Sequence, residues 1–317
     1  MKKVVALICA LVMLVAMLAG CASPTLEETV PETTVPTEPE PTEPPTEPPV
    51  EQEDPAADGV LTVLVIGNSF GTAWNDELTG MLDAAGIKTK IYSVYYAGCK
   101  VKEHWEWLEQ GQGNYRLRHH YQKGGWEDFE NATLEFCLSK ENWDVISLQQ
   151  HFAGSQAASY DASLNACNPY VENLYGYLRH NFPKSKLVWH QTWAYEVGWE
   201  GNGMAMDADY QLRCHENIRA ISQLLASENG VPLIPAGDAW HIARTEYSYH
   251  DMAKDDLYHD GEEGGGQYLN ACVWFEALTG QSCIGNEWRP RYYEVSEEKL
   301  LQLQEIAHRA WEENTYK

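Results

Sequence analysis

The strongest constraint on the fold is an alternation of short apolar runs with longer stretches of helical periodicity from residue 59 onward. The runs suit buried β-strands and fall at 61–66, 91–96, 144–148, 186–189 and 231–234; the helical stretches fall at 75–85, 131–140, 162–181, 208–228, 266–279 and 296–313. Strands that alternate with helices form a parallel sheet with helices on both faces. The pattern therefore predicts an α/β fold: a three-layer α/β/α sandwich around a central, mostly parallel five-stranded sheet.

One segment interrupts this alternation. Residues 100–130 show no clear period and are rich in Trp, His, Tyr and Gly. Such a stretch is too long for an ordinary connection in a compact domain. We expect it to form an inserted hairpin or lid beside the end of the second strand.

A change in composition near residue 58 separates this domain from what precedes it. Residues 22–58 hold eleven acidic residues and ten of the fifteen prolines, with no Lys or Arg. Prolines favour extended polyproline II structure, and like charges stretch the chain further. Residues 21–58 are thus predicted to form a linker that reaches on the order of 100 Å, and residues 59–317 a single domain.

The first twenty residues are typical of an export signal. Two lysines precede an apolar run at 4–18, which is shorter than the roughly 20 residues of a membrane span and suits a signal-peptide core. Leu18-Ala19-Gly20-Cys21 resembles the bacterial lipobox, which implies removal of residues 1–20 and diacylation of Cys21. Two acyl chains anchor a protein stably. We therefore expect a lipid-anchored protein on the extracytoplasmic face of the cell membrane; an ordinary secretory signal is the alternative.

The charge of the chain argues against nucleic acid as a partner. The formal net charge is −25, and it stays strongly negative when the eleven linker acids are set aside. Phosphate binding draws on clustered Lys and Arg. We expect no nucleic-acid partner.

A serine follows the first predicted strand at the edge of the sheet where sites of such folds lie. In Gly67-Asn68-Ser69-Phe70-Gly71, a strand-to-helix turn would expose the Ser69 hydroxyl beside free backbone N–H groups that favour negative charge. The alternative is that Ser69 only caps the helix. The pattern also matches the α/β-hydrolase elbow, but that fold takes part of its oxyanion hole from a loop upstream of the nucleophile. Only one strand precedes Ser69, so this alternative is disfavoured.

Further polar residues could complete such a site. Asp256 and His259 are three residues apart, so the carboxylate can reach the imidazole and stabilise its charged form. A solvated acidic loop is the other interpretation. Gly98 follows the second strand, where a backbone N–H can approach an oxyanion, and Gln149 and Gln150 follow the third strand with side-chain amides.

In this order along the chain, these residues resemble the motifs of SGNH/GDSL-type hydrolases. The runs 257–261 and 266–280 resemble a branch of that family found in bacterial surface lipoproteins. The resemblance implies a flavodoxin-like α/β/α fold in which Ser69 is the nucleophile, His259 the general base and Asp256 the group that orients it.

The resemblance also implies an oxyanion hole, with two departures from the family pattern. The backbone N–H groups of Ser69 and Gly98 and a glutamine side chain would form it. Asn68 stands where the family has Asp, and Gln149 or Gln150 stands where it has Asn. We favour Gln150, because consecutive residues after a strand point to opposite faces, but the choice remains open.

Other residues at this edge are candidates for substrate binding: Asn68, His190, Gln191, Trp193 and Asp238. His190 and its neighbours could equally pack in the core, and Asp238 could cap the helix expected at 239–244. Five tryptophans are suited to stacking on sugar rings, although large aromatic residues more often pack in the core: Trp105, Trp107, Trp126, Trp193 and Trp199.

Metals and disulfides have weaker support. The chain has 11 histidines but no His-x-x-x-His pair with a nearby Glu, so we expect neither a metal nor another cofactor. An exported domain can form disulfides, but spacing does not reveal which cysteines would pair. Cys99, beside Gly98, is expected to be structural.

The sequence therefore predicts an extracellular serine esterase that hydrolyses acyl esters, O-acetyl groups on a glycan being the best candidates. Its partners would be the ester-bearing small molecule or glycan and, through the anchor, the membrane. The alternative is a tethered, non-catalytic glycan- or solute-binding lipoprotein on a degenerate hydrolase scaffold. A metal-dependent hydrolase is disfavoured.

Overall fold

The computed structural model describes residues 52–152, 157–201, 204–253, 264–291 and 293–317. The predicted signal peptide, the lipidation site Cys21 and most of the predicted linker lie outside these described residues. The predicted base His259 and acid Asp256 also lie outside them.

The described strands form one large sheet and one small one. In chain order they are β1 (Leu61–Gly67), β2 (Thr89–Tyr95), β3 (Tyr115–His120), β4 (Trp126–Ala132), β5 (Val145–Leu148), β6 (Lys186–His190), β7 (Glu200–Gly201), β8 (Met204–Ala205) and β9 (Leu233–Ile234). The large sheet has the order β4-β3-β2-β1-β5-β6-β9, and β7 pairs only with β8. Strands β2, β1, β5, β6 and β9 are parallel, while β3 and β4 are antiparallel.

The predicted α/β/α class is confirmed, but the predicted count of five strands was too low. The sheet has seven strands because the 100–130 region supplies the β3–β4 hairpin at its edge. Strand β4 is mostly exposed and polar, so it lacks the apolar run that marks a buried strand. When the β3–β4 hairpin is set aside, the five parallel strands have the order β2-β1-β5-β6-β9. This is the flavodoxin-like strand order.

Helices cover the sheet in two groups. They are α1 (Ser69–Thr72), α2 (Asn75–Ala84), α3 (Val101–Gln110), α4 (Leu134–Leu138), α5 (Tyr160–Cys167), α6 (Tyr170–Asn181), α7 (Ala208–Glu228), α8 (Ala236–Glu246), α9 (Gly266–Thr279) and α10 (Glu297–Glu313). Helices α2, α8, α9 and α10 pack in one group, and α3 packs with α4, α5 and α6 in the other. The single helix predicted at 162–181 is two helices, because Pro169 has no backbone N–H to continue the first.

The core is dense in aromatic residues. Strand β1 is buried from Thr62 to Gly67, as expected of a central parallel strand. Six tryptophans are almost fully buried: Trp74, Trp143, Trp189, Trp193, Trp240 and Trp274. Trp193 stacks on Trp240 at 4.5 Å between ring centroids, so it is a packing residue and not a surface for sugar rings.

The end of the predicted linker contacts the domain. Gln52 is buried, and its amide bonds to Asn142 and to the backbone N–H of Lys184. Asn142 Nδ2 in turn donates to Glu53 O. The contacts of the domain therefore include residues that composition alone assigns to the linker.

No helix within the described ranges has the length and apolarity needed to cross a bilayer. The six cysteines of these ranges are buried, and none of them forms a disulfide.

Candidate active site

The strand register aligns the loops that follow β1, β5 and β6. Ile66 pairs with Leu148, and Leu148 pairs with Trp189. The next residues, Gly67, Gln149 and His190, therefore lie at one level across three adjacent strands. Neighbouring strands β2 and β5 flank β1 on opposite sides, which makes the β1–β5 boundary the switch point where ligands bind in such sheets.

Ser69 lies in the turn directly after β1. It is the first residue of α1 and is partly exposed. Asn68 is the N-cap, since its Oδ1 accepts a hydrogen bond of 3.0 Å from Phe70 N. The interpretation of Ser69 as the cap was therefore wrong, and its hydroxyl is not committed to capping.

The turn after β2 contains Gly98 in the left-handed conformation, with φ +65°, which glycine adopts without strain. Asn68 Nδ2 donates to Cys99 O at 2.8 Å. This bond joins the Ser69 turn to the Gly98 turn, as an oxyanion hole built from both would require.

Gln150, which follows β5, is hydrogen-bonded to the chain just after the Gly98 turn. Its side chain is buried, and Oε1 accepts a hydrogen bond of 3.0 Å from Val101 N at the start of α3. Within the described residues, Gln150 Nε2 is buried and has no hydrogen-bond partner. An unused donor beside the Gly98 turn is what an oxyanion hole needs.

Gln149 points to a different environment. Its Nε2 donates to Asn68 Oδ1 at 2.9 Å, and its Oε1 accepts from His190 Nδ1 at 2.9 Å. Both ends of this amide are used within the protein. The geometry therefore favours Gln150 over Gln149 as the oxyanion donor.

His190 lies in the core beneath the site. It is 1% exposed, and its ring meets Trp74 and Trp274 edge-on at 5.5 Å between centroids. Burial lowers the pKa of His190 to about 3, so the imidazole is neutral near pH 7. The structure gives it a role in packing and hydrogen bonding within the protein, instead of the predicted role in substrate contact.

Gln191 and Asp238 form a separate pair. Gln191 is buried and donates from Nε2 to Asp238 Oδ1 at 2.9 Å. Asp238 lies inside the first turn of α8, whose N-cap is Pro235, so the prediction that Asp238 caps this helix was wrong. Its other oxygen lies 3.4 Å from Arg219 Nε, and burial raises the pKa of its carboxyl group.

Three aromatic side chains near the Gly98 turn were not predicted as site residues. His151 directly follows Gln150, and a Cβ on Gly98 would lie 3.8 Å from its ring. Its Nε2 shares a hydrogen bond of 3.2 Å with Tyr195 Oη, and the Phe70 ring lies 5.7 Å away. The position of His151 after two glutamines at a strand end was the available sequence signal.

No metal site is apparent in the described ranges, and the Cys99 thiol next to Gly98 is not activated. No group of three or more His, Cys, Asp or Glu residues there is arranged to hold a metal ion. Burial raises the pKa of the Cys99 thiol, so it stays protonated near pH 7.

The strand order and the loops at the β1–β5 boundary define an α/β/α protein of the flavodoxin-like type. The chain belongs to the DUF4886 family, described as a domain of unknown function, whose profile matches residues 62–310. A crystal structure of a DUF4886 family protein from Bacteroides uniformis is similar, with 29% identity and a TM-score of 0.69 over 79% of this chain and 94% of that chain.

Other solved structures are similar at lower identity and with TM-scores below 0.5. A protein of Slackia heliotrinireducens described as a proposed SGNH hydrolase matches with 20% identity and a TM-score of 0.44, over 68% of this chain and 98% of that chain. A variant acetyl xylan esterase of Geobacillus stearothermophilus matches with 13% identity and a TM-score of 0.43, over 73% of this chain and 97% of that chain. The comparison with curated proteins returns no match.

Proposed function

We propose that the protein is a serine esterase that hydrolyses acyl esters, with O-acetyl groups on a glycan as the preferred substrates. One observation carries the proposal: Asn68 and Gln150 both bond to the turn that holds Gly98. The Ser69 turn, the Gly98 backbone and an unused amide donor are thereby gathered at the switch point of the sheet. This is the arrangement that acyl transfer needs around a nucleophile.

The reaction would follow the serine-hydrolase pattern. His259, oriented by Asp256, takes the Ser69 proton while Ser69 Oγ attacks the ester carbonyl. The N–H groups of Ser69 and Gly98 and the Gln150 amide stabilise the oxyanion. The alcohol leaves with a proton from His259, and water then hydrolyses the acyl-enzyme.

Aromatic residues beside the Gly98 turn support a glycan as the carrier of the ester. Tyr96 is 44% exposed two residues before Gly98, and its ring meets Trp107 at 4.9 Å between centroids. Exposed aromatic faces next to a polar site suit stacking on sugar rings. We also propose that Cys21 carries the lipid anchor that holds the protein at the extracytoplasmic face of the membrane.

Acetate release from acetylated glycans and hydrolysis of p-nitrophenyl acetate test the proposal. We expect turnover by the wild type and loss of it in Ser69→Ala. Ser139→Ala is the matched control, because Ser139 is exposed and bonds only locally, to Phe136 O. Equal rates for wild type and Ser69→Ala would refute the assignment, and tight glycan binding without turnover would favour the non-catalytic alternative.

A further inference from the structure

We propose that Gln149 is a positioning residue that sets the conformation of the Ser69 turn through Asn68. The same inference assigns a purpose to Gly67 and Gly71, which make room for the Gln149 side chain. It rests on the proposed function, and it explains why this chain carries two consecutive glutamines and an asparagine before the serine.

The two glycines enclose the Gln149 amide. A Cβ on Gly67 would lie 2.6 Å from Gln149 Cδ, and a Cβ on Gly71 would lie 2.7 Å from Gln149 Oε1. Neither glycine has a positive φ, so close approach and not backbone conformation requires them. The Gly-x-Ser-x-Gly pattern here is a cradle for a side chain from the neighbouring strand.

Hydrogen bonds run in one direction from His190 to the Gly98 turn. His190 Nδ1 donates to Gln149 Oε1, Gln149 Nε2 donates to Asn68 Oδ1, and Asn68 Nδ2 donates to Cys99 O, at 2.8–2.9 Å. The four residues are each at most 2% exposed. In such a dry setting an unmade bond costs the full desolvation of its donor or acceptor.

The backbone groups at one end fix the direction of this chain. Because Phe70 N donates to Asn68 Oδ1 and Cys99 O accepts from Asn68 Nδ2, Gln149 must present its NH2 group to Asn68 Oδ1 and its Oε1 to His190, so His190 Nδ1 carries the hydrogen. Asn68 Oδ1 receives donors from both Gln149 and Phe70, which leaves its Nδ2 for Cys99 O. An aspartate at position 68 would have no hydrogen for Cys99 O, which accounts for the asparagine.

The first test replaces Gln149 by methionine, which keeps the volume between the glycines but has no amide. We expect kcat to fall about 10- to 100-fold, as small misplacements of reacting groups do, with KM within roughly twofold of the wild type. Gln304→Met is the matched control, because Gln304 is also buried and bonds to Tyr268 Oη and Gly285 N, away from Ser69. Its kcat should stay at the wild-type level.

The second test uses Gln149→Glu to separate hydrogen bonding from packing. A glutamate carboxylate accepts from His190 but has no hydrogen for Asn68, whereas the protonated acid donates to Asn68 Oδ1 as the amide does. Burial raises the pKa of such a carboxyl group. His190 is the titratable side chain in hydrogen-bond contact with position 149 among the described residues. The ratio of variant to wild-type kcat should therefore rise as the pH falls from about 8 to about 5.

The outcomes separate the two proposals. If the wild type turns over esters and Ser69→Ala does not, a wild-type kcat in Gln149→Met refutes the positioning role alone. A ratio for Gln149→Glu that is low and independent of pH also refutes it, since protonation would then restore nothing. If the wild type has no esterase activity, the proposed function fails and the positioning role falls with it.

Discussion

Two polar clusters lie after the carboxyl ends of the parallel strands, and they differ in charge and in exposure to solvent. The first joins His190, Gln149 and Asn68 and is neutral, buried and hydrogen-bonded in a single direction. The second surrounds Asp238 and His215 and is charged, and it lines a cavity of about 280 Å³. A neutral, dry network can hold one geometry at any working pH, whereas a charged cluster beside a cavity responds to pH and salt.

This difference assigns the two clusters different relations to Ser69. The neutral cluster ends on the turns that would form the oxyanion hole, so disrupting it should lower kcat. The charged cluster is linked to the rest of the site through Gln191, whose side-chain amide donates its hydrogen bond to Asp238. Its loss should mainly change stability.

The largest expected effect on stability comes from a substitution that fills the space around Gln149 in the neutral cluster. Gly67→Ala places a methyl group against Gln149, whose amide cannot move without breaking its bonds to His190 and Asn68. We expect a loss of about 1–3 kcal/mol in the free energy of unfolding, measured by urea denaturation, together with a lower kcat.

Two controls accompany this substitution. Gly176→Ala should stabilise the protein by about 0.4–1 kcal/mol, because no atom lies within 4 Å of its added Cβ. Gln149→Ala should relieve the cost of Gly67→Ala, so that the two changes are not additive. Additive effects would show that the methyl group strains something other than Gln149.

The next effect is a loss of stability in acid, to which both clusters contribute. Burial lowers the pKa of His190 in the neutral cluster to about 3 and that of His215 in the charged cluster to about 2. His104, a buried residue of α3 outside both clusters, also has its pKa lowered to about 3 by burial. These histidines stay neutral when folded but bind protons near pH 6.5 when unfolded. Stability is therefore fully present above that pH and falls below it, by about 1.4 kcal/mol per pH unit for each histidine.

His215→Gln should remove the contribution of His215 from this slope. Urea denaturation at several pH values below about 6.5 should show a dependence shallower by about 1.4 kcal/mol per pH unit than in the wild type. An unchanged slope would mean that His215 is protonated in the folded protein.

The smallest effect concerns the charged cluster itself. Asp238→Asn removes the charge that faces Arg219, a residue that is 54% exposed. We expect a change of about 1 kcal/mol or less in the free energy of unfolding and a kcat for p-nitrophenyl acetate within roughly twofold of the wild type. A large fall in kcat would show that Asp238 takes part in catalysis, and it would contradict the claim that only the neutral cluster affects the reaction.

The elements that sequence predicted well are those whose apolar residues repeat with a clear period. The bounds of α7 and α9 match the prediction, and β1 differs by one residue. The hairpin expected in residues 100–130 is present as β3–β4, but the bounds of its strands were not predicted, because the edge strand β4 is mostly exposed and has no apolar alternation to detect. The break at Pro169 was available in the sequence and was overlooked.

The candidate site was predictable at the level of loops but not of side-chain directions. Ser69, Gly98 and Gln150 were placed after the correct strands. The burial of His190 depends on Trp74 and Trp274, which reach it from α2 and α9 regions far apart in the chain. The cradle formed by Gly67 and Gly71 likewise depends on Gln149, which follows β5, and no local pattern shows this contact.

The most direct measurement of the central claim is covalent labelling of the wild-type protein with a fluorophosphonate, followed by peptide mass spectrometry. An activated serine forms a stable adduct with this reagent, whereas an ordinary surface serine does not. The account predicts one adduct, on Ser69, formed more slowly in Gln149→Met than in Gln304→Met. No adduct on Ser69 in the wild type would contradict it.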